Sequence, residues 1–172
     1  MCKNRSFCFW KRLKNRKGFT LTELTVTLSI LGIMTAISVP SYFSWLPRHR
    51  LQTSVRQIYD DMNLAKIRAV KDNTYARITF STANDTYTVF LDRDGSSSWT
   101  TGDTMIKANV ALENGVDITA ANTCGFNNRG MSTTVAPQIR LTNPTNIIMR
   151  IDVTTAGNIS TSTSKDGGAT WS

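Results

Sequence analysis

The stretch KGFTLTELTVTLSILGIMTAISVP, residues 17–40, decides how the rest of the chain is read. From Leu24 to Val39 it carries no charge, and the uncharged interval is bounded by Glu23 and Arg48. Phe19 to Val39 is 21 residues. At about 1.5 Å per residue a helix of that length spans the hydrocarbon of a bilayer.

Upstream, residues 1–18 hold Lys3, Arg5, Lys11, Arg12, Lys14, Arg16 and Lys17 with no acid. The whole chain counts 20 Lys and Arg against 12 Asp and Glu, a formal charge of +8. Loss of the first 18 residues leaves 13 basic against 12 acidic side chains. The basic surplus is therefore a cytoplasmic flank of the kind the positive-inside rule describes, and it says little about partners of the remainder. Orientation follows: basic cluster inside, Tyr42, Phe43 and Trp45 in the far interfacial belt, and the body of the chain outside. Cysteine divides the same way. Cys2 and Cys8 lie in the basic flank, and Cys124 beyond it has no partner for an internal disulfide, so it reads as a small buried apolar residue.

Glu23 is the residue that a plain anchor does not explain. A carboxylate at the edge of hydrocarbon costs a few kcal/mol or more, on the order of 3, unless it snorkels to the interface or is paired. A conventional signal peptide, cut after Ala36-Ile37-Ser38, would leave Glu23 inside its apolar core and Pro40 just past the cut. An uncleaved signal anchor explains the charge asymmetry but not the run Lys17-Gly18-Phe19-Thr20-Leu21-Thr22-Glu23.

That run resembles the class III signal of type IV pilins and type II secretion pseudopilins: a basic leader ending in Gly, then Phe, then Glu as fifth mature residue. The resemblance implies cleavage between Gly18 and Phe19 by prepilin peptidase, N-methylation of Phe19, and retention of the apolar helix. It also implies that Glu23 pairs with the terminal amine of a neighbouring subunit, which would neutralise two charges in a medium of low dielectric. Pro40 and Pro47 fall where pilins carry helix-bending prolines, and either kink the helix or end its membrane portion. Gly32, with Glu23, is where helix contacts are expected to concentrate.

After Pro47, Leu51, Val55, Ile58, Met62, Ala65 and Ala69 recur at alternating spacings of four and three, an amphipathic stripe expected to face a core. Arg48, Arg50, Arg56, Asp60, Asp61, Lys66 and Arg68 take the other faces. From Tyr75 onward the texture is β-rich, with runs at residues 76–80, 87–91, 105–110, 116–119, 138–142 and 147–153 separated by polar turns. The expected fold is α+β, pilin-like: a long N-terminal transmembrane and amphipathic helix packed on an antiparallel β head. The expected divisions are leader 1–18, transmembrane helix 19–40, amphipathic continuation 41–72 and head 73–172.

Within that class the head is similar to the GspH/FimT group of minor pseudopilins. The segment LAKIRAVKDN at 64–73 resembles that group's passage from helix to first strand, and WTTG at 99–102, GVDI at 115–118, FNNRG at 126–130 and IDVTTAGNI at 151–159 resemble its head landmarks. The implied role is that of a minor pseudopilin or minor pilin. Its implied partners are prepilin peptidase, other pilin or pseudopilin subunits and inner-membrane lipid.

Asp92-Arg93-Asp94-Gly95 opens like a calcium loop but lacks a later bidentate Glu, so a turn is the better reading and no metal is assigned. DNA binding, as in minor pilins used for transformation, is the alternative function. It needs clustered cations, whereas Arg129, Arg140 and Arg150 are scattered and residues 157–172 hold only Lys165 beside Asp166. His49, the only histidine, lies between Arg48 and Arg50 with no candidate triad or zinc set, so neither catalysis nor a cofactor is expected.

Overall fold

The computed structural model describes residues 18–172, so the leader up to Lys17, with Cys2, Cys8 and the seven basic residues, lies outside the described residues. One helix, α1 (Leu21–Lys71), is followed by eight strands: β1 (Tyr75–Ser81), β2 (Thr86–Asp92), β3 (Thr104–Ala111), β4 (Asp117–Ala121), β5 (Cys124–Phe126), β6 (Gln138–Thr142), β7 (Ile148–Val153) and β8 (Ile159–Ser164). The chain divides into two units between Tyr42 and Phe43.

In the first unit, Leu21 to Val39 is helical with every side chain exposed, and it is long and apolar enough to cross a membrane. Its hydroxyl residues would oppose that if their O–H groups lacked partners. Four of them donate instead to a carbonyl one turn back: Thr25 to Thr22, Thr27 to Glu23 and Leu24, Ser29 to Thr25, and Thr35 to Leu31 and Gly32. Those four hydroxyls are satisfied within the helix itself, as lipid requires. Helical geometry runs through both Pro40 and Pro47, so neither proline ends the helix.

The second unit holds two four-stranded sheets, ordered β3-β2-β1-β5 and β4-β6-β7-β8, with every pairing antiparallel. All six residues of the expected helical stripe are buried. They share one core with Ala76 and Ile78 of β1, Tyr87, Val89 and Leu91 of β2, Ile139 and Leu141 of β6, and Ile151 and Val153 of β7. The i, i+2 spacing of these strand residues is what a pleated sheet with one buried face demands. The helix leaves through a Schellman turn. Asn73 is left-handed (φ 49°), its N–H donates to Val70 C=O, and the N–H of Thr74 donates to Ala69 C=O.

Two strands went unpredicted. β5 is three residues long with Gly125 at its centre, and β8 reads ISTSTS, polar on both faces because it is an edge strand. Asp61 also departs from expectation, for it is buried. One of its oxygens accepts from Tyr87 O–H at 2.7 Å, and the other from Lys107 Nζ at 2.7 Å. This ties the helix to β2 and β3.

Burial raises the Tyr87 phenol far above its ordinary value, and the hydrogen bond and charge of Asp61 add to that. Asp61→Ala should therefore cost about 2–3 kcal/mol, mostly from the stranded phenol, because half-exposed Lys107 can turn to water. Thermal unfolding should shift down by about 10 °C. In the intact protein, folded Tyr87 stays protonated while the unfolded phenol ionises. Its contribution is thus complete below about pH 10 and declines as pH rises beyond it, which an alkaline unfolding series followed by circular dichroism will read.

Candidate functional site

The N-terminal end of α1 gathers the residues expected to carry processing and assembly. Gly18 and Phe19 are exposed and precede the helix, and Phe19 is 82% accessible. Thr20 caps the helix: its Oγ1 accepts from the N–H of Glu23 at 3.2 Å, and its C=O accepts from the N–H of Leu24 at 3.1 Å. Glu23 is thus the third helical residue, where a carboxylate faces the positive end of the helix dipole. The Thr-x-x-Glu spacing of a capping box is the signal for this in the sequence. A Cβ added at Gly18 or at Gly32 meets nothing within 4 Å, so the fold of this chain demands neither glycine.

The sequence-predicted turn at Asp92-Arg93-Asp94-Gly95 is a turn, and the structure adds Asp103 to it. The carboxylate oxygens of Asp92, Asp94 and Asp103 lie within 4.8 Å of one another. Turn donors already occupy them. Asp92 accepts from the N–H groups of Gly95 and Ser97 and from Arg77 Nε at 3.0 Å. Asp94 accepts from Ser96 N–H and Thr100 O–H, and Asp103 from Arg93 N–H and Thr100 N–H. Hydrogen bonds from Ser96 and then Thr100 hold the Asp94 carboxyl down at about 2.

Arg129, Arg140 and Arg150, the candidates for phosphate contact, separate into two places. Arg140 and Arg150 are register partners across β6 and β7, and Trp171 lies over Arg150 at 4.2 Å and Arg140 at 5.9 Å. Arg150 is neutralised by Asp152 at 2.6 Å. Arg129 stands on the loop after β5. The Trp171 contact was invisible in the sequence, since nothing local links residue 171 to residue 150. His49 stacks on Trp45 at 4.5 Å, four residues earlier on α1. Cys124 is fully buried, as expected, and burial pushes its thiol up to about 12.

The family model described as type II transport protein GspH matches residues 54–157, more than half of the chain. The chain belongs to the GspH family. The prokaryotic N-terminal methylation motif matches residues 13–39, so this GspH-family chain joins that motif to a GspH head. It is a structural subunit of the pilin and pseudopilin type and not an enzyme. Two fimbrial proteins of Pseudomonas aeruginosa are each 37% identical to it over 46 residues, 27% of this chain and 30% of theirs. The chain thus spans under a third of the curated relatives it matches.

Among solved structures, the minor pseudopilin EpsH of the Vibrio cholerae type 2 secretion system is similar with a TM-score of 0.51 and 11% identity. The match covers 65% of this chain and 95% of that one, and it confirms the pilin-like α+β fold. The type IV minor pilin FimU of P. aeruginosa matches with a TM-score of 0.48 and 14% identity, over 66% of this chain and 88% of its own.

Proposed function

We propose that this GspH-family chain is a minor pseudopilin or minor pilin of a type II secretion or type IV pilus system, whose mechanism is assembly. Prepilin peptidase cuts between Gly18 and Phe19, Phe19 is N-methylated, and residues 19–40 hold the subunit in the inner membrane with residues 73–172 outside. The helix then joins a filament, with Glu23 facing the terminal amine of a neighbouring subunit and Pro40 and Pro47 bending the spine.

The observation that carries this reading is the methylation motif on a capped helix whose apolar side chains from Leu21 to Val39 are all exposed, ahead of a packed GspH head. A helix so exposed needs lipid or other helices around it. The DNA-binding alternative is weaker, because Arg150 spends its charge on Asp152.

The test is the N-terminus of the protein co-expressed with a prepilin peptidase, read by intact mass and N-terminal sequencing. N-methyl-Phe19 is the expected start. Retention of Met1, or a start near Val39, would overturn the proposal.

A further inference from the structure

Between Glu23 and Asp60 the chain has no acidic residue, yet it carries Arg48, His49, Arg50 and Arg56 directly after the apolar span. This is the reverse of what the positive-inside rule favours at the outer end of an anchor. Such charge placement calls for an anionic partner at that level.

All the residues concerned belong to the second unit and to α1. Trp45, Arg48, His49, Gln52 and Arg56 follow one another at +3, +4, +7 and +11, and so share one helical face. That face is distinct from the buried stripe that starts at Leu51 and Val55. His49 lies flat on Trp45, with 14° between the rings. Arg48 is exposed, and the three ion pairs among the described residues involve Arg77, Lys107 and Arg150, so none neutralises it. Arg50 points elsewhere, donating from Nη1 to Asn114 C=O at 3.1 Å.

Depth supplies the partner. Trp45 is of the residue type that settles at the level of lipid headgroups, and Arg48 and His49 stand about 5 Å further along the axis, at the level of the phosphates. A guanidinium offers paired donors that match two phosphate oxygens, and the stacked imidazole adds a third. We propose that Trp45, Arg48 and His49 form a binding site for the phosphate of an anionic phospholipid in the leaflet nearest the head. This rests on the membrane-anchored reading above. It adds that the subunit carries a chosen lipid, which must be released or carried along when the helix leaves the bilayer.

The test uses the full chain reconstituted in phosphatidylcholine vesicles. The association of spin-labelled phosphatidylglycerol relative to spin-labelled phosphatidylcholine is read by electron paramagnetic resonance. Wild type should prefer phosphatidylglycerol, and Arg48→Gln should lower that preference by about fivefold, the effect of one juxtamembrane arginine. Arg48→Lys should keep most of it. Arg56→Gln removes the same charge about 12 Å further along the helix and should leave the preference unchanged. The leader's basic residues are common to all the chains and cancel.

Equal association of the two lipids with wild type, or an equal loss in Arg48→Gln and Arg56→Gln, would overturn the site. So would competition by millimolar inorganic phosphate, which would mark a free-phosphate site. A chain that washes off vesicles in carbonate would overturn the anchored reading as well, whereas a bilayer-resistant chain without lipid preference removes only this inference.

Discussion

Glu23→Ala should leave the chain cut between Gly18 and Phe19 but lower its recovery in sheared filaments by about a hundredfold. The size follows from what the substitution strands. A methylated amine entering a helix-lined filament without a carboxylate is an unpaired charge in a low-dielectric medium, and breaking such a pair costs about 3 kcal/mol. Local structure will not absorb the change. The hydrogen bond that caps the helix uses the backbone N–H of Glu23 and the side chain of Thr20, and it survives the substitution. Only the favourable meeting of carboxylate and helix dipole is lost, worth about 0.5 kcal/mol. Thr20→Ala is the complementary control: it should weaken the cap by about 1 kcal/mol and keep the pairing group. Immunoblots of sheared and whole-cell fractions, together with N-terminal sequencing, separate the two effects. Filaments that contain Glu23→Ala at the wild-type level would remove Glu23 from assembly.

The largest loss of head stability should come from Gly157→Ala. Gly157 closes the turn between β7 and β8 with φ +80°, donating its N–H to Thr154 C=O and accepting from Lys66 Nζ at 2.9 Å. An added Cβ would collide with the carbonyl oxygen of Gly130, a backbone atom of the loop after β5. Left-handed strain and forced separation of two loops together should cost about 3 kcal/mol or more. The turn would also pull away from Lys66 and so loosen its tie to α1. Urea unfolding of purified protein should show a lower midpoint, and a change below about 1 kcal/mol would mean that the two loops part easily.

Gly130 and Gly157 show what the sequence could and could not say. Both stand in stretches that resemble family landmarks, so their importance was legible, but their mutual approach was not, because 27 residues separate them. The stripe from Leu51 to Ala69 was legible to the residue, since helical periodicity is local and strong. β8 was not. An edge strand of Ser and Thr buries too little apolar surface to leave a pattern, and its place is set by hydrogen bonds to β7. Asp61 reads as one more surface acid from its neighbours Asp60 and Arg56. Only the fold brings Tyr87 and Lys107 to it from positions 26 and 46 residues away. At the N-terminal end the motif was plain, whereas the cap made by Thr20 needed the spacing to Glu23 to be read as helix chemistry.

The burial of Cys124 has a practical use. With its thiol protonated up to about pH 12 and shielded by the core, it will resist maleimide labelling in the native state. Once residues 1–18 are gone it is the one remaining cysteine. A single cysteine engineered onto an exposed strand position would then be the sole reactive handle, so cross-linking and fluorophore placement can map neighbours within an assembled fibre without first stripping the native thiol.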